Sequence, residues 1–252
     1  MTQPTSGHDA VVFLPTDTTE EIRERGAVVA VLPVGSFEQH GPFLPMATDT
    51  LIANELAHRI AGSHAVLLLP PLTVSCSHEH ADWPGTVSIS AVTLHHVVED
   101  VARSLRNSGV HALALVNGHG GNYVLRNTVQ ESAARGTRMS LFPGPADWRS
   151  AGAAAGIVTS ARDDMHAGEI ETSILLHTHP QLLRPGYASG DHCAGDRAHL
   201  LTLGMRAYTE SGVIGRPSRA TAAKGKALLE SLTDSFGAHH ALLSRGIGGD
   251  AP

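Results

Sequence analysis

Four short apolar runs recur along the chain, and amphipathic helical patterns lie between them. Apolar runs without alternation are typical of parallel strands that are covered on both faces. A strand followed by a helix and another parallel strand requires a right-handed crossover, which places helices on the faces of the sheet. The pattern therefore predicts an α/β fold, with three α/β/α layers and a mostly parallel central sheet. The predicted strands are residues 27–34, 66–69, 110–116 and 139–142, and the helices between them are 50–61, 90–107 and 122–134.

The rest of the chain gives weaker patterns. A short charged helix is predicted over residues 16–25, and two further helices are predicted over about 198–210 and 219–244. The stretch 143–164 is rich in Gly, Ala and Pro and is expected to be a loose connector. No internal repeat and no long linker interrupts the chain, so residues 1–252 are expected to form a single domain. Its polar ends, 1–10 and 246–252, are expected to be frayed.

The stretch from the first strand to the next helix, residues 33–49, carries three residues that could bind a metal. Its glycines and prolines restrict the backbone to one shape. Glu38 and His40 lie two positions apart, so extended backbone points both to the same side. Asp49 enters from the first turn of the helix, where a carboxylate is favoured. These residues predict a metal site. The alternative is a solvated loop acid, a loop-bracing histidine and a helix-capping acid.

Two further segments place acid or histidine side chains at element ends. His119 lies between glycines directly after the third strand, and its loop should share the carboxyl edge of the sheet with residues 33–49. His166 and Glu169 stand three apart at a predicted helix start and so share a face. The alternative for His119 is an incidental position in a Gly-rich turn. The alternative for Glu169 is a first-turn acid stabilised by the helix dipole.

Together these segments supply more ligands than one catalytic zinc ion uses, since such an ion keeps an open position. A set of this size suits two divalent cations about 3.5–4 Å apart, which can activate a water and polarise an amide carbonyl. His166, if it is not a ligand, could stabilise the oxyanion or protonate the leaving nitrogen. His166 and Glu169 are therefore the candidate catalytic residues. The predicted metal ligands are Glu38, His40, Asp49, His119 and Glu169.

Composition narrows the classes of function. The net charge of −6 disfavours binding to nucleic acid or to an anionic membrane. The two cysteines, Cys76 and Cys193, are far apart, which is typical of a reducing cytoplasm, and the polar start gives no sign of a signal peptide. Both lysines, Lys224 and Lys226, lie outside the motifs, which disfavours Schiff-base chemistry. A cytoplasmic protein with no nucleic-acid or membrane partner is expected.

Three blocks of this chain resemble the signature motifs of the creatininase family. They are residues 33–42 (PVGSFEQHGP), 117–122 (NGHGGN) and 166–173 (HAGEIETS), within a likeness over roughly 26–235. The resemblance implies a dinuclear metal hydrolase that opens C–N amide bonds. It also implies two Zn, Mn or Fe ions per chain and a homo-oligomer, often a hexamer.

Matching residue by residue carries ligand roles to four positions: Glu38, His40, Asp49 as the bridge, and His119. One departure concerns Gly121. Creatininase itself has a glutamate ligand at this position, two residues after the turn histidine, whereas most relatives have glycine. We expect Glu169 to supply the missing carboxylate, and the departure makes creatinine a doubtful substrate.

Within the family, residues 78–86 (HEHADWPGT) most resemble the branch that acts on a precursor peptide and releases a modified Val-Tyr C-terminus. A peptide or small-amide substrate is therefore expected. Other possibilities are creatinine ring opening, deformylation of a pyrimidine intermediate, or a binding or scaffold protein held together by metal. The candidate substrate contacts are His80, Asp82, Trp83 and Trp148.

Overall fold

The computed structural model describes residues 14–246. The predicted frayed ends, 1–10 and 246–252, lie outside this range except for Gly246. Four parallel strands form one sheet in the order β2-β1-β3-β4. The strands are β1 (Val29–Val34), β2 (Leu67–Leu68), β3 (Ala112–Asn117) and β4 (Arg138–Phe142).

Eight α-helices connect and cover these strands in the described part of the chain. They are α1 (Thr19–Arg25), α2 (Thr48–Ser63), α3 (Ala91–Asn107), α4 (Val124–Ala134), α5 (Pro145–Ala154), α6 (Glu169–Thr178), α7 (Leu200–Leu203) and α8 (Ala222–Ser244). Within residues 14–246 no helix is both long and apolar enough to cross a bilayer.

Alternate residues of each strand enter two separate cores. On β1, Val29 and Val31 pack into the core formed with α2, α6 and α8. The intervening Ala30 and Leu32 pack with α3 and α4 on the opposite face. Because successive side chains of a strand point to opposite faces, both surfaces of the sheet are apolar and covered. The three-layer α/β/α arrangement predicted from the sequence is therefore confirmed.

The structure corrects two predictions in the second half of the chain. The stretch expected to be a loose connector contains α5, whose start is stabilised by Pro145 in the first turn and by the Asp147 carboxylate, which accepts the Gly144 N–H at 2.7 Å. The helix expected over 198–210 is instead the four-residue α7 followed by a single 3₁₀ turn. Gly204, at φ +69, ends α7 because its backbone leaves the helical region.

Candidate active site

Loops from the carboxyl ends of β1 and β3 meet the first turn of α2 at one edge of the sheet. They bring together Glu38, His40, Asp49 and His119, all of which are buried. This is the edge at which open parallel sheets bind ligands. Asp49 is the second residue of α2, so its carboxylate also benefits from the positive end of the helix dipole.

Two glycines allow α2 to approach the strand ends this closely. A Cβ built on Gly35 would lie 2.3 Å from the Thr50 Cα, and one built on Gly118 would lie 2.3 Å from the Asp49 carbonyl oxygen. Any side chain at these positions would push the start of α2 away from the sheet. The position of Asp49 is therefore fixed by contacts between backbone segments.

The Asp49 carboxylate lies between two histidines. Its Oδ1 is 3.0 Å from His40 Nε2, and its Oδ2 is 3.1 Å from His119 Nδ1. Ser36 Oγ donates to Oδ2 at 2.6 Å and holds the carboxylate in this orientation. Glu38 Oε1 is also 3.1 Å from His119 Nδ1. Asp49 thus belongs to two groups of donor atoms, one with His40 and the other with Glu38 and His119.

The start of α6 contributes two more side chains to this cluster. Glu171 Oε2 lies 3.8 Å from His40 Nε2, and His166 Nδ1 lies 3.8 Å from Glu38 Oε1. Ala167 has a positive φ of 52°, which is strained for alanine, and its N–H donates to Glu171 Oε2 at 2.6 Å. Donor atoms of His40, His166 and Glu171 all lie within 4.8 Å of one another, as do those of Glu38, His40 and Asp49.

Backbone carbonyls fix which ring nitrogen faces the cluster. His40 Nδ1 donates to the carbonyl of Glu38 at 3.1 Å, and His119 Nε2 donates to the carbonyl of Cys76 at 2.8 Å. A carbonyl only accepts, so in the neutral ring the other nitrogen carries a lone pair. Both lone pairs face Asp49. Histidines that ligate metals are held in this way by a second hydrogen bond.

The Glu38 carboxylate shows that the cluster suits a cation. It is completely buried, and neither of its oxygens accepts a hydrogen bond from any residue that the structure describes. A buried carboxylate without partners is costly. Its neighbours are imidazole nitrogens and a second carboxylate, and mixed nitrogen and oxygen donors of this kind bind Zn²⁺, Mn²⁺ and Fe²⁺.

The pKa values of these side chains also indicate that the cluster favours bound positive charge. Burial raises the pKa of Glu38 above its ordinary value. Burial alone would lower the pKa of His40, but the Asp49 carboxylate outweighs it and raises that pKa to about 9. Partial burial raises the pKa of Glu171 to about 8. Without a cation, Glu38 and Glu171 therefore favour their protonated forms, and the Asp49 carboxylate favours a protonated His40. Bound cations would displace these protons.

Comparison with known proteins identifies the family. The sequence profile of the creatininase family, described as creatinine amidohydrolase, matches residues 16–239. The chain belongs to the creatininase family. It is 35% identical over 217 residues to the mycofactocin precursor peptide peptidase of Mycobacterium ulcerans, covering 81% of each chain. It is 34% identical to the protein of the same name from Mycolicibacterium smegmatis, covering 90% of this chain and 91% of that one.

Solved creatininase structures share the fold. A creatinine amidohydrolase structure superposes with a TM-score of 0.77 at 24% identity, covering 93% of this chain and 97% of that one. A Zn–Zn form of a creatininase variant gives a TM-score of 0.74 at 23% identity, with coverage of 92% and 96%. Family membership and the donor set together make this creatininase-family chain a metal-dependent amide hydrolase.

Glu169 does not join the other predicted ligands of this creatininase-family site. Its buried carboxylate accepts hydrogen bonds from Lys224 Nζ at 2.5 Å, from Thr159 N at 2.8 Å and from Thr159 Oγ1 at 2.5 Å. Burial tends to raise its pKa, but these bonds outweigh burial and lower it. With its oxygens occupied in this way, Glu169 ties α6 to α8, and the geometry does not support the predicted metal or catalytic role.

Glu171 is the acid of α6 that reaches the cluster, and the sequence patterns did not single it out. On a helix, residues two positions apart point to nearly opposite sides, so Glu169 and Glu171 cannot both face the cluster. Glu171 lies in the block at 166–173, five residues after His166, and that spacing gave no reason to prefer it to Glu169.

The four candidate substrate contacts occupy different surroundings. His80 is buried, with Nε2 3.3 Å from Glu38 Oε1, and burial and nearby histidines lower its pKa to about 3. Trp148 lines two neighbouring cavities of about 280 and 450 Å³, one beside His166 and one beside His119. Trp83 lies under the guanidinium of Arg206, 5.1 Å from the ring centroid. Asp82 is exposed. Their contact with substrate stays a prediction.

Proposed function

We propose that this chain is a two-metal peptidase with Asp49 as the bridging ligand. Glu38, Asp49 and His119 would hold one divalent cation, and His40, Asp49 and Glu171 the other, with Zn, Mn or Fe as the metal. The observation that carries the proposal is the orientation of Asp49, whose two oxygens face two different histidines at 3.0 and 3.1 Å. A carboxylate shared in this way is typical of two-metal hydrolases.

Amide hydrolysis adds a water oxygen to the carbonyl carbon, breaks the C–N bond and leaves a proton on the departing nitrogen. Bound cations would supply polarisation of the carbonyl and a lower pKa for the attacking water. The chain's own residues orient the ligands: Ser36 holds Asp49, and backbone carbonyls hold His40 and His119. The unprotonated Nδ1 of His166 faces Glu38 and can accept a proton from the attacking water.

The substrate is proposed to be a peptide. The support comes from the two relatives named mycofactocin precursor peptide peptidase, each similar over most of its length. The cavities beside Trp148 give room for side chains next to the cluster. We propose that the chain releases the modified Val-Tyr C-terminus of a mycofactocin precursor peptide.

The test is a substrate panel combined with metal counting. Chelator-treated protein should be inactive, and Zn²⁺, Mn²⁺ or Fe²⁺ should restore cleavage of the precursor peptide in its modified form. Creatinine and a scrambled peptide serve as controls. We expect two ions per chain at full activity. One tightly held ion without hydrolysis would instead favour a metal-stabilised binding protein, and hydrolysis of creatinine alone would favour a creatinine amidohydrolase. The proposed homo-oligomer, a hexamer by the family resemblance, is tested by light scattering.

A further inference from the structure

His80 lies beside the donor cluster, and its two ring nitrogens have different neighbours. Nδ1 is 2.9 Å from the side-chain nitrogen of Gln39, and Nε2 is 3.3 Å from Glu38 Oε1. The ring is only 2% exposed, and its centroid lies 4.4 Å from that of His166. Which nitrogen carries the hydrogen therefore decides whether His80 can bind a cation or can donate to a substrate.

Two backbone groups fix the orientation of the Gln39 amide. Its Oε1 accepts the Gly41 N–H at 2.8 Å, and its Nε2 donates to the Gly212 carbonyl at 3.2 Å. A reversed amide would set oxygen against oxygen and N–H against N–H. Gly212, at φ +93, is needed here, because a Cβ at that position would overlap the Gln39 amide. The second amide hydrogen consequently points to His80 Nδ1, which must accept it.

A neutral imidazole that accepts at Nδ1 carries its hydrogen on Nε2. Donor atoms of Glu38, His80 and His166 lie within 4.8 Å of one another, as in a metal site. Ligation by Nε2 would require the hydrogen to move to Nδ1, against the Gln39 amide hydrogen. Leaving two buried donors facing each other costs the hydrogen bond of both. His80 is thus unsuited to be a ligand, and Glu38 Oε1, the acid oxygen 3.3 Å from its Nε2, accepts no hydrogen bond from the residues that the structure describes.

His166 has the opposite arrangement. Its Nε2 lies 2.6 Å from the backbone carbonyl of Gln39, which only accepts, so the hydrogen is on Nε2. Nδ1, the nitrogen 3.8 Å from Glu38 Oε1, then carries a lone pair. A neutral His166 has no hydrogen to offer the reacting amide. Gln39 therefore sets both tautomers, one through its side chain and the other through its backbone.

We propose that His80, rather than His166, is the hydrogen-bond donor of the active site, with Nε2–H directed at the carbonyl oxygen of the scissile amide. This assignment depends on the proposed amide hydrolysis. When water adds to the carbonyl carbon, the π electrons move to oxygen, and the His80 hydrogen bond stabilises that charge. When the C=O bond forms again, the C–N bond breaks and the nitrogen takes a proton that came from the water. His80 keeps its own proton throughout.

The tautomers are measured first, in metal-loaded wild-type protein with ¹⁵N-labelled histidine. Long-range ¹H–¹⁵N spectra should show the Nε2–H form for both His80 and His166, with the His80 signals identified by their loss in His80→Gln. A hydrogen on Nδ1 of His80 would overturn the proposal whatever the activity of the protein.

Kinetics on the precursor peptide then test the role. His80→Ala should keep two ions per chain and a KM within about threefold, while kcat falls by about 10²–10³-fold, as for loss of one oxyanion donor. His80→Gln, which keeps an N–H donor and nearly fills the site, should recover part of that loss and serves if the alanine variant does not fold. An unchanged kcat, or loss of one metal ion, in both variants would overturn the proposal. Absence of amide hydrolysis by metal-loaded wild type would instead refute the proposed function itself.

Discussion

The two acids at the start of α6 offer a matched pair of variants. Glu171→Gln removes a carboxylate that faces His40 Nε2 at 3.8 Å, at the proposed second cation. Because an amide is a much weaker ligand for a divalent cation, this variant should lose about one metal ion per chain. Loss of the stabilisation that a cation gives to the transition state, several kcal/mol, corresponds to a fall in kcat of about 10²–10⁴-fold.

Glu169→Gln makes the same chemical change two residues earlier, where the partners are Lys224 and Thr159. Breaking a fully buried ion pair costs about 3–5 kcal/mol. Lys224 is 20% exposed, so water compensates in part, and we expect a loss of about 2–4 kcal/mol in the free energy of unfolding. For a chain of this length that corresponds to a fall in Tm of about 5–15 °C.

The assay measures metal content, kcat and thermal unfolding for both variants beside wild type. In the metal-free state, Glu171→Gln should have a Tm near that of wild type, but it should bind about one ion per chain and have the reduced kcat. Glu169→Gln should be less stable, with its metal and with kcat within about fivefold of wild type. If Glu169→Gln lost a metal ion and Glu171→Gln kept both, the assignment of the two acids would be refuted.

Three other variants or conditions test the remaining features. Asp49→Asn should lose both ions, and its kcat should fall by at least about 10³-fold, because one residue serves both proposed cations. The control is Asp100→Asn, at an exposed position on α3, which should retain two ions per chain. Elemental analysis measures the metal content of both variants. Gly118→Ala should cost about 1–3 kcal/mol in chemical denaturation because its Cβ would overlap the start of α2. Gly120→Ala, with no atom within 4 Å of the added Cβ, is the control, and equal losses would contradict the packing argument. The pKa of Glu169 is lower in the folded protein than its ordinary value of 4.5. The advantage of wild type over Glu169→Gln in free energy of unfolding should therefore be complete above about pH 5.5 and should shrink as the pH falls through 4.5 and below. An advantage that increased in acid would contradict the lowered pKa.

The sequence was sufficient for the layered fold because its four strands are continuous apolar runs with helical patterns between them. It did not reveal the helix at 145–154, because Gly, Ala and Pro dominate that stretch and its start depends on a single Pro and a cap from Asp147. The order of the strands in the sheet could not be predicted from the sequence either, because strand pairing depends on contacts between distant residues.

The candidate site was predictable where the backbone decides the geometry. Glu38 and His40 follow β1, and Asp49 begins α2, so strand and helix periodicity brought them together. The choice between Glu169 and Glu171 depends on the rotation of α6 about its axis. Lys224, 55 residues from Glu169 and on α8, donates a hydrogen bond to the Glu169 carboxylate. No local sequence pattern contains that information. The same limit applied to Gln39, whose importance comes from its contact with Gly212.

The close approach at Gly35 and Gly118 has a consequence for how this enzyme could change its substrate. Main-chain atoms hold the bridging acid in place, whereas side chains from other segments, such as Trp148, line the neighbouring cavities. Mutations at wall residues outside the donor cluster, such as Trp148, Met165 and Ile170, can accordingly accumulate without disturbing the hydrolytic residues. A library restricted to such positions should yield altered specificity with unchanged metal content, while random changes at the two glycines should yield mostly inactive protein.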